Sequence, residues 1–474
     1  MKWMIFSPEI YYLLVSLWFL ALSMLRRVNS RRNYLSALFL AAGGVLVCLL
    51  AVRSEGLLFS NAYQVDLFSQ VFKVLLALGL FLIVCLCPDL SGIREKHHPD
   101  FYLLLFVCTL AMLMLVSSVH LLAMYISLEL SSYALYILVA LRRHKDLGIE
   151  AGIKYFLIGI TASAVMLFGL ALLYATTQVA HVDDMFRVIP AVIDKPVVIL
   201  GLLLTLSGFF FKLAVFPFHF WAPDVYQGAT NQVTAFIATA SKVAAIALLI
   251  RMVATAGNDA AGNYLAHALV MLAIVSMTVG NLAAIVQQDI KRLLAYSTVA
   301  HAGYLLIGIL SMNPSGYGGV IFYAAALLIM KFTAFLVVVQ VADNGRNIQM
   351  GELAGLHQRS PLLAMALMVS IFSLAGIPPT IGFSAKLFVF LAAMEQGYFT
   401  LVLIAMINVL ISLYYYLLVL KAAFLLKPDT VQPDLQLSPS LRLLTGALIL
   451  VMVGLGIYPT PLLEIAEAAV RALV

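Results

Sequence analysis

Phe211-Lys-Leu-Ala-Val-Phe-Pro-Phe-His-Phe-Trp-Ala-Pro-Asp224 ends an apolar run that starts near residue 196, and it puts a lysine and two prolines where a membrane helix should continue. A proline inside a helix removes a hydrogen bond and clashes with the preceding turn. In lipid, such a break is tolerated only where the freed backbone is buried in protein or lines a polar cavity. Ser373-Leu-Ala-Gly-Ile-Pro-Pro-Thr-Ile-Gly-Phe-Ser-Ala-Lys386 has a similar make-up in the opposite order: Lys212 precedes Pro217, whereas Lys386 follows Pro378 and Pro379. Pro217, Pro223, Pro378 and Pro379 are the expected helix breaks. Two interrupted helices in corresponding places of two halves point to a transporter built from inverted repeats.

The rest of the chain agrees. Of its 474 residues, 64% are hydrophobic and 11% charged, against about 45–50% and about 25% in a soluble domain. Only a chain solvated by lipid hides so little charge. At about 20 apolar residues per crossing, fourteen spans are expected: 8–25, 34–52, 66–88, 101–117, 119–141, 151–175, 196–220, 233–254, 264–286, 294–311, 317–341, 362–394, 399–426 and 441–459. The expected fold class is all-α and polytopic, with helices seven and twelve broken. Three helices fill 1–100, five-helix repeats fill 101–254 and 264–426, and a last helix and tail fill 441–474. Glu129-Leu-Ser-Ser-Tyr-Ala-Leu-Tyr-Ile-Leu is faintly similar to Ala300-His-Ala-Gly-Tyr-Leu-Leu-Ile-Gly-Ile, and the same offset brings Lys212 within three residues of Lys386.

Charge tests the count. With the N-terminus outside, fifteen of the 28 basic residues fall on the cytoplasmic side: Arg26, Arg27, Arg31, Arg32, Arg94, Lys96, Arg142, Arg143, Lys145, Lys291, Arg292, Arg346, Arg359, Lys427 and Arg442. Six fall opposite: Lys2, Arg53, Arg187, Lys195, Arg251 and Arg471. This is the bias of the positive-inside rule. One lysine before the first span and four arginines after it reverse the order of a secretory signal, so that span is expected to be retained. Basic residues scattered along loops give no nucleic-acid surface. Cys48, Cys85, Cys87 and Cys108 lack ligand spacing, and no Gly-rich phosphate loop is present, so neither metal nor cofactor is expected on this chain.

The seven remaining basic residues are all lysines inside spans: Lys73, Lys154, Lys212, Lys242, Lys331, Lys386 and Lys421. A charge at the bilayer centre costs about 2.5–3.5 kcal/mol on the insertion scale, so several must face a polar interior. Arginine cannot release its proton, whereas a desolvated lysine can. A row of lysines is therefore a candidate proton relay. Lys73 and Lys421, nearer span ends, are expected to snorkel to an interface instead. Glu129 is a mid-span carboxylate that needs a cation, as a static pair or as one that opens and closes. His219 and His301 are candidates either to hand on protons or, for His219 beside its break, to cap carbonyls. His120 is a candidate water-side entry residue.

These motifs, with Trp221-Ala-Pro-Asp-Val-Tyr-Gln-Gly-Ala, Ala240-Ser-Lys-Val-Ala, Asp289-Ile-Lys-Arg-Leu-Leu-Ala-Tyr-Ser, His301-Ala-Gly-Tyr and Ser373-Leu-Ala-Gly-Ile-Pro, resemble the antiporter-like subunits of respiratory complex I. Within them the chain is most similar to the N type of bacterial NADH–quinone oxidoreductase. The Trp-Ala-Pro-Asp-Val-Tyr variant, a lysine rather than a glutamate at 386, and the lack of a long lateral helix all point there. The resemblance implies a central hydrophilic axis, with Glu129 paired to Lys212, Lys242 at its centre and Lys386 at its end. Lys154, His219, His301, Lys331 and Lys291 are secondary relay candidates. For Lys291 a loop salt bridge with Asp289 competes. The resemblance further implies a multi-pass protein of the bacterial plasma membrane with both termini on the periplasmic side. NADH, FMN, iron–sulfur clusters and quinone are then expected in partner subunits, and other complex I membrane subunits, lipid and protons are the expected partners. The alternatives are a subunit of a cation/proton antiporter or membrane-bound hydrogenase complex, or a scaffold.

Overall fold

The computed structural model describes residues 5–25, 29–143, 145–256, 260–342, 345–428 and 433–473. Lys2, Arg26, Arg27 and the side chain of Lys145, all counted in the charge bias, lie outside the described residues. Thirteen of the described helices are long and apolar enough to cross a membrane. Two shorter segments in line make another crossing. In chain order these are α1 (Ser7–Met24), α2 (Ser30–Ala51), α3 (Leu67–Cys85), α4 (His98–Ser117), α5 (Leu121–Ala140), α6 (Lys145–Thr177), α7a (Pro196–Leu213) with α7b (Trp221–Gly228), α8 (Asn231–Ala238 and Ala240–Ala256), α9 (Ala260–Ile285), α10 (Ile290–Leu310), α11 (Pro314–Val341), α12a (Pro361–Ala375) with α12b (Ile381–Glu395), α13 (Phe399–Leu425) and α14 (Pro439–Ile457). The chain is an integral multi-pass membrane protein.

Fourteen crossings return the chain to its starting side, which we call the termini face; the other is the basic face. The termini face also carries a hairpin, β1 (Gly56–Leu58) antiparallel to β2 (Tyr63–Val65) with Leu57 opposite Gln64. An amphipathic helix that hydropathy did not single out, α15 (Thr460–Arg471), buries Ala466, Ala469 and Val470 there against α11 and α3.

Burial sorts the helices. α8, α10 and α11 are enclosed along nearly their whole length, whereas α1, α2 and α14 present Trp18, Phe39, Leu443 and Leu450 outward, as a lipid-facing shell should. Close approach in lipid relies on small residues. At Gly303 of α10 a Cβ would lie 2.8 Å from both the Ala273 carbonyl and the Met277 nitrogen of α9.

Both expected breaks are present. α7a stops at Ala214, which is left-handed (φ 61°), and Pro217 lies in the gap. α12a stops at Gly376 (φ 86°), with Pro378 and Pro379 in the gap before Ile381. Pro223 is a correction. It sits in the first turn of α7b, where a missing N–H costs nothing, so it breaks no helix. An interruption at Thr239 that no proline or glycine signals splits α8 (φ −116°, ψ −90°) three residues before Lys242.

Three basic residues assigned to loops are buried. Asp289 accepts from the Lys291 and Arg292 amides (2.9 and 3.1 Å), so α10 starts early and draws Lys291 inside. Arg251 lies within α8, paired with Asp66 at 2.9 Å. Arg142 donates to the carbonyls of Gln227, Gly228 and Ala229 at the end of α7b, at 2.7, 3.0 and 3.3 Å.

Candidate functional site

The two breaks leave carbonyls without helical partners, and lysines fill them. Lys242 of α8 donates to the Lys212 carbonyl at 2.7 Å. Its ammonium stands 4.8 Å from the ring of Trp221, whose own indole N–H donates to the Phe211 carbonyl at 3.0 Å. In the second break Lys386 of α12b turns back to the Leu374 and Ala375 carbonyls, both at 2.9 Å. A helix C-terminus carries about half a negative charge, so each broken helix makes a seat for a cation. The opposite order of lysine and proline in the two motifs follows. The second break uses its own downstream lysine, while the first uses a lysine from the next helix.

Lys212 is buried, and its Nζ donates to Ser131 Oγ (2.9 Å) and Ser132 Oγ (3.1 Å) of α5. The expected contact with Glu129 is not made at ion-pair distance. Glu129 is turned to α6, where it accepts a hydrogen bond from Ser163. The two serine hydroxyls, two and three residues past Glu129 on α5, hold the ammonium instead.

Toward the other half, a cavity of about 20 Å³ lies among Lys242, Thr298, His301 and Lys331, room for about one water. Lys331 donates to Leu294 O (2.9 Å), Ser297 Oγ (2.9 Å) and Thr298 Oγ1 (2.5 Å). His301 bonds through Nδ1 to Tyr323 Oη (2.7 Å) and through Nε2 to Tyr416 Oη (3.3 Å). Tyr304 stands edge-on to His301, and the Lys386 ammonium lies 5.0 Å from the Tyr304 ring. The structure thus brings Glu129, Lys212, Lys242, Lys331, His301 and Lys386 into one buried row across the molecule.

Other candidates fall elsewhere. Lys154 is half-exposed and held between Glu150 (2.7 Å) and Asp224 (2.8 Å) at the basic face. Lys291 is fully buried but donates to the Ala229 carbonyl at 2.8 Å; the competing Asp289 salt bridge is not made, because Asp289 is used as the helix cap and meets Gln227. His219 is buried against Phe216 and Phe220, its Nδ1 without a hydrogen-bond partner, and it stays outside the row. His120 caps α5 through the Leu122 amide (3.3 Å). Lys421 is exposed, as expected of a snorkelling lysine. Lys73 is the opposite, fully buried and ion-paired to Glu9 at 2.7 Å. Sequence reasoning passed over Glu9 because it lies so near the chain start. It also passed over the hydroxyls that hold the lysines, although Ser131, Ser132 and Tyr304 stand inside the quoted motifs. Among the described residues no group of three His, Cys, Asp or Glu side chains is placed to hold a metal ion.

Fourteen crossings, two proline-broken helices and a row of buried cations define an antiporter-type membrane subunit. Residues 118–412 match the family model for the NADH:quinone oxidoreductase/Mrp antiporter transmembrane region. The chain is 64% identical over 473 residues, all of both chains, to NADH-quinone oxidoreductase subunit N 2 of Syntrophobacter fumaroxidans. It superposes with a TM-score of 0.83 on a chain of respiratory complex I from Thermus thermophilus, at 32% identity and covering 96% of this chain and 98% of that one. The likeness to a chain of the Mrp complex of Dietzia is one of fold, with a TM-score of 0.88 at 21% identity over 100% and 98% of the two chains. The chain belongs to the subunit N family of NADH-quinone oxidoreductases.

Proposed function

We propose that this chain is a proton-translocating membrane subunit of a bacterial NADH–quinone oxidoreductase, and that its protons move along Glu129, Lys212, Lys242, Lys331, His301 and Lys386. The observation that carries this reading is the cavity shared by Lys242, Lys331 and His301 at the middle of the buried row. A buried amine held only by neutral oxygens exchanges its proton more readily than one locked to a carboxylate, and every lysine of the row has neutral oxygen partners. Glu129 is the switch. Released from Ser163, it draws Lys212 from the serines and changes the charge that Lys242 feels. Electron transfer from NADH to quinone, with its FMN and iron–sulfur clusters, belongs to partner subunits, and the termini face is periplasmic in the inner membrane. Lys154, His219 and Lys291 act at the margins, in entry or in holding α7b.

The test is Lys242→Met in the assembled complex, reconstituted in vesicles. The rate of NADH-driven proton uptake falls at least about tenfold, the effect of about 1.4 kcal/mol on a barrier. Wild-type pumping in a fully assembled variant overturns the relay.

A further inference from the structure

One ionisable cluster is left unused by the central row. It lies in α1 and α3, before the region that the family model covers. Lys73 Nζ and Tyr63 Oη both reach Glu9 Oε1, each at 2.7 Å, and the Tyr63 ring lies 5.2 Å from the ammonium. Glu9 and Lys73 are 1% and 0% exposed. The pair is shallow: Lys73 is six residues past Leu67, about 9 Å below the end of α3 at 1.5 Å per residue. Its cover is the β2 strand that supplies Tyr63.

Above the pair, the inner face of α3 is polar. Asp66, Gln70 and Lys73 follow at helical spacing and are all buried, and Asp66 borders a depression of about 860 Å³ on the termini face. Glu9 Oε2 and Gln70 Oε1 are buried acceptors without hydrogen-bond partners, and Arg251 Nε beside Asp66 is a donor without one. Buried polar groups are mostly hydrogen-bonded, and those that are not call for a reason. Orphaned groups on α1, α3 and α8, between a surface depression and a buried lysine, fit a path that water bridges.

We propose that Glu9, Tyr63 and Lys73 form a second proton-exchange site, open to the termini face through Gln70 and Asp66 and separate from the central row. It rests on the proton-pumping reading above. Lys73 is the group that takes and gives the proton; Glu9 locks it charged while the two are paired, so exchange takes place only when the pair opens, and Tyr63 closes the site from the hairpin.

The test compares Lys73→Arg, the double variant Glu9→Leu/Lys73→Met and, as reference, Lys242→Met, in the assembled and reconstituted complex. Arginine keeps the ion pair but cannot exchange a proton. The double variant removes both charges, which a merely structural pair tolerates. The expected result is that both lower proton uptake per NADH oxidised at least about twofold while the amount of assembled complex stays at the wild-type level. Wild-type pumping in either variant overturns the site. If Lys242→Met pumps normally, the central relay fails; if it loses pumping while Lys73→Arg keeps it, only this inference fails.

Discussion

Lys212 is defined by what it holds. Its ammonium rests on two serine hydroxyls, and the carboxylate expected to pair with it is held by Ser163 of α6. Two neutral acceptors compete with one charged partner, so the balance between them sets how often the ion pair forms. A lost hydrogen bond to a charged group weakens the held state by about 1.5–3 kcal/mol. Ser131→Ala/Ser132→Ala should therefore drive Lys212 onto Glu129 and lock the switch, and the steady pumping rate falls several-fold while NADH binding in the partner subunits is unchanged. Proton uptake in vesicles measures this, and an undiminished rate rules out the serines as the competing seat. The same logic explains what sequence could show at this scale. Lys212, Lys242, Lys331 and Lys386 were legible because the cost of burying a cation in lipid makes each a signal by itself. Their partners were not, since a serine or tyrosine in a membrane helix is common and nothing in its spacing names the lysine it meets. Lys73 departs from the snorkelling expectation because nearness to a span end is not nearness to water, and the hairpin that covers it is invisible in hydropathy.

Elements follow the same rule. The breaks in α7 and α12 were readable from proline and glycine, because those residues change the backbone directly. The interruption of α8 at Thr239 was not, because Ala238-Thr-Ala reads as continuous helix. The second break also depends on contact. A Cβ on Gly382 would lie 1.8 Å from the Ser373 carbonyl, and the Gly382 amide donates to Ser373 Oγ at 3.0 Å. Gly382→Ala must push α12b off α12a and lift Lys386 from its carbonyl seat. The expected outcome is a loss of about 3 kcal/mol or more, in the range of severe core overpacking, seen as a lower melting point of the detergent-solubilised complex and reduced pumping. Gly446 of α14 has nothing within 4 Å of a built Cβ, so Gly446→Ala serves as the control that leaves both readouts unchanged.

At the scale of the molecule, the three leading helices must be fixed to the part that carries the central row. α3 does this by packing on α8, α4 and α15, and at its tip Asp66 receives Arg251 of α8 through two bonds of 3.1 and 2.9 Å, with the guanidinium 5.0 Å from the Phe68 ring. Asp66 also caps α3 by accepting from the Ser69 amide at 2.7 Å, so the two functions need separate variants. Asp66→Asn keeps an acceptor for the cap and removes the charge, leaving Arg251 buried without its counter-ion. Breaking a buried pair this way costs about 3–5 kcal/mol, and the low end applies because Asp66 borders the termini-face depression. Asp66→Ser/Arg251→Leu keeps the cap and removes both charges, so it should recover most of that loss. Heat-induced dissociation of the solubilised complex separates the cases: the single variant dissociates at clearly lower temperature, and the double returns toward wild type. A single variant as stable as wild type shows that packing alone holds the leading helices. A double variant as weak as the single shows that the loss does not come from Arg251 being left without its counter-ion.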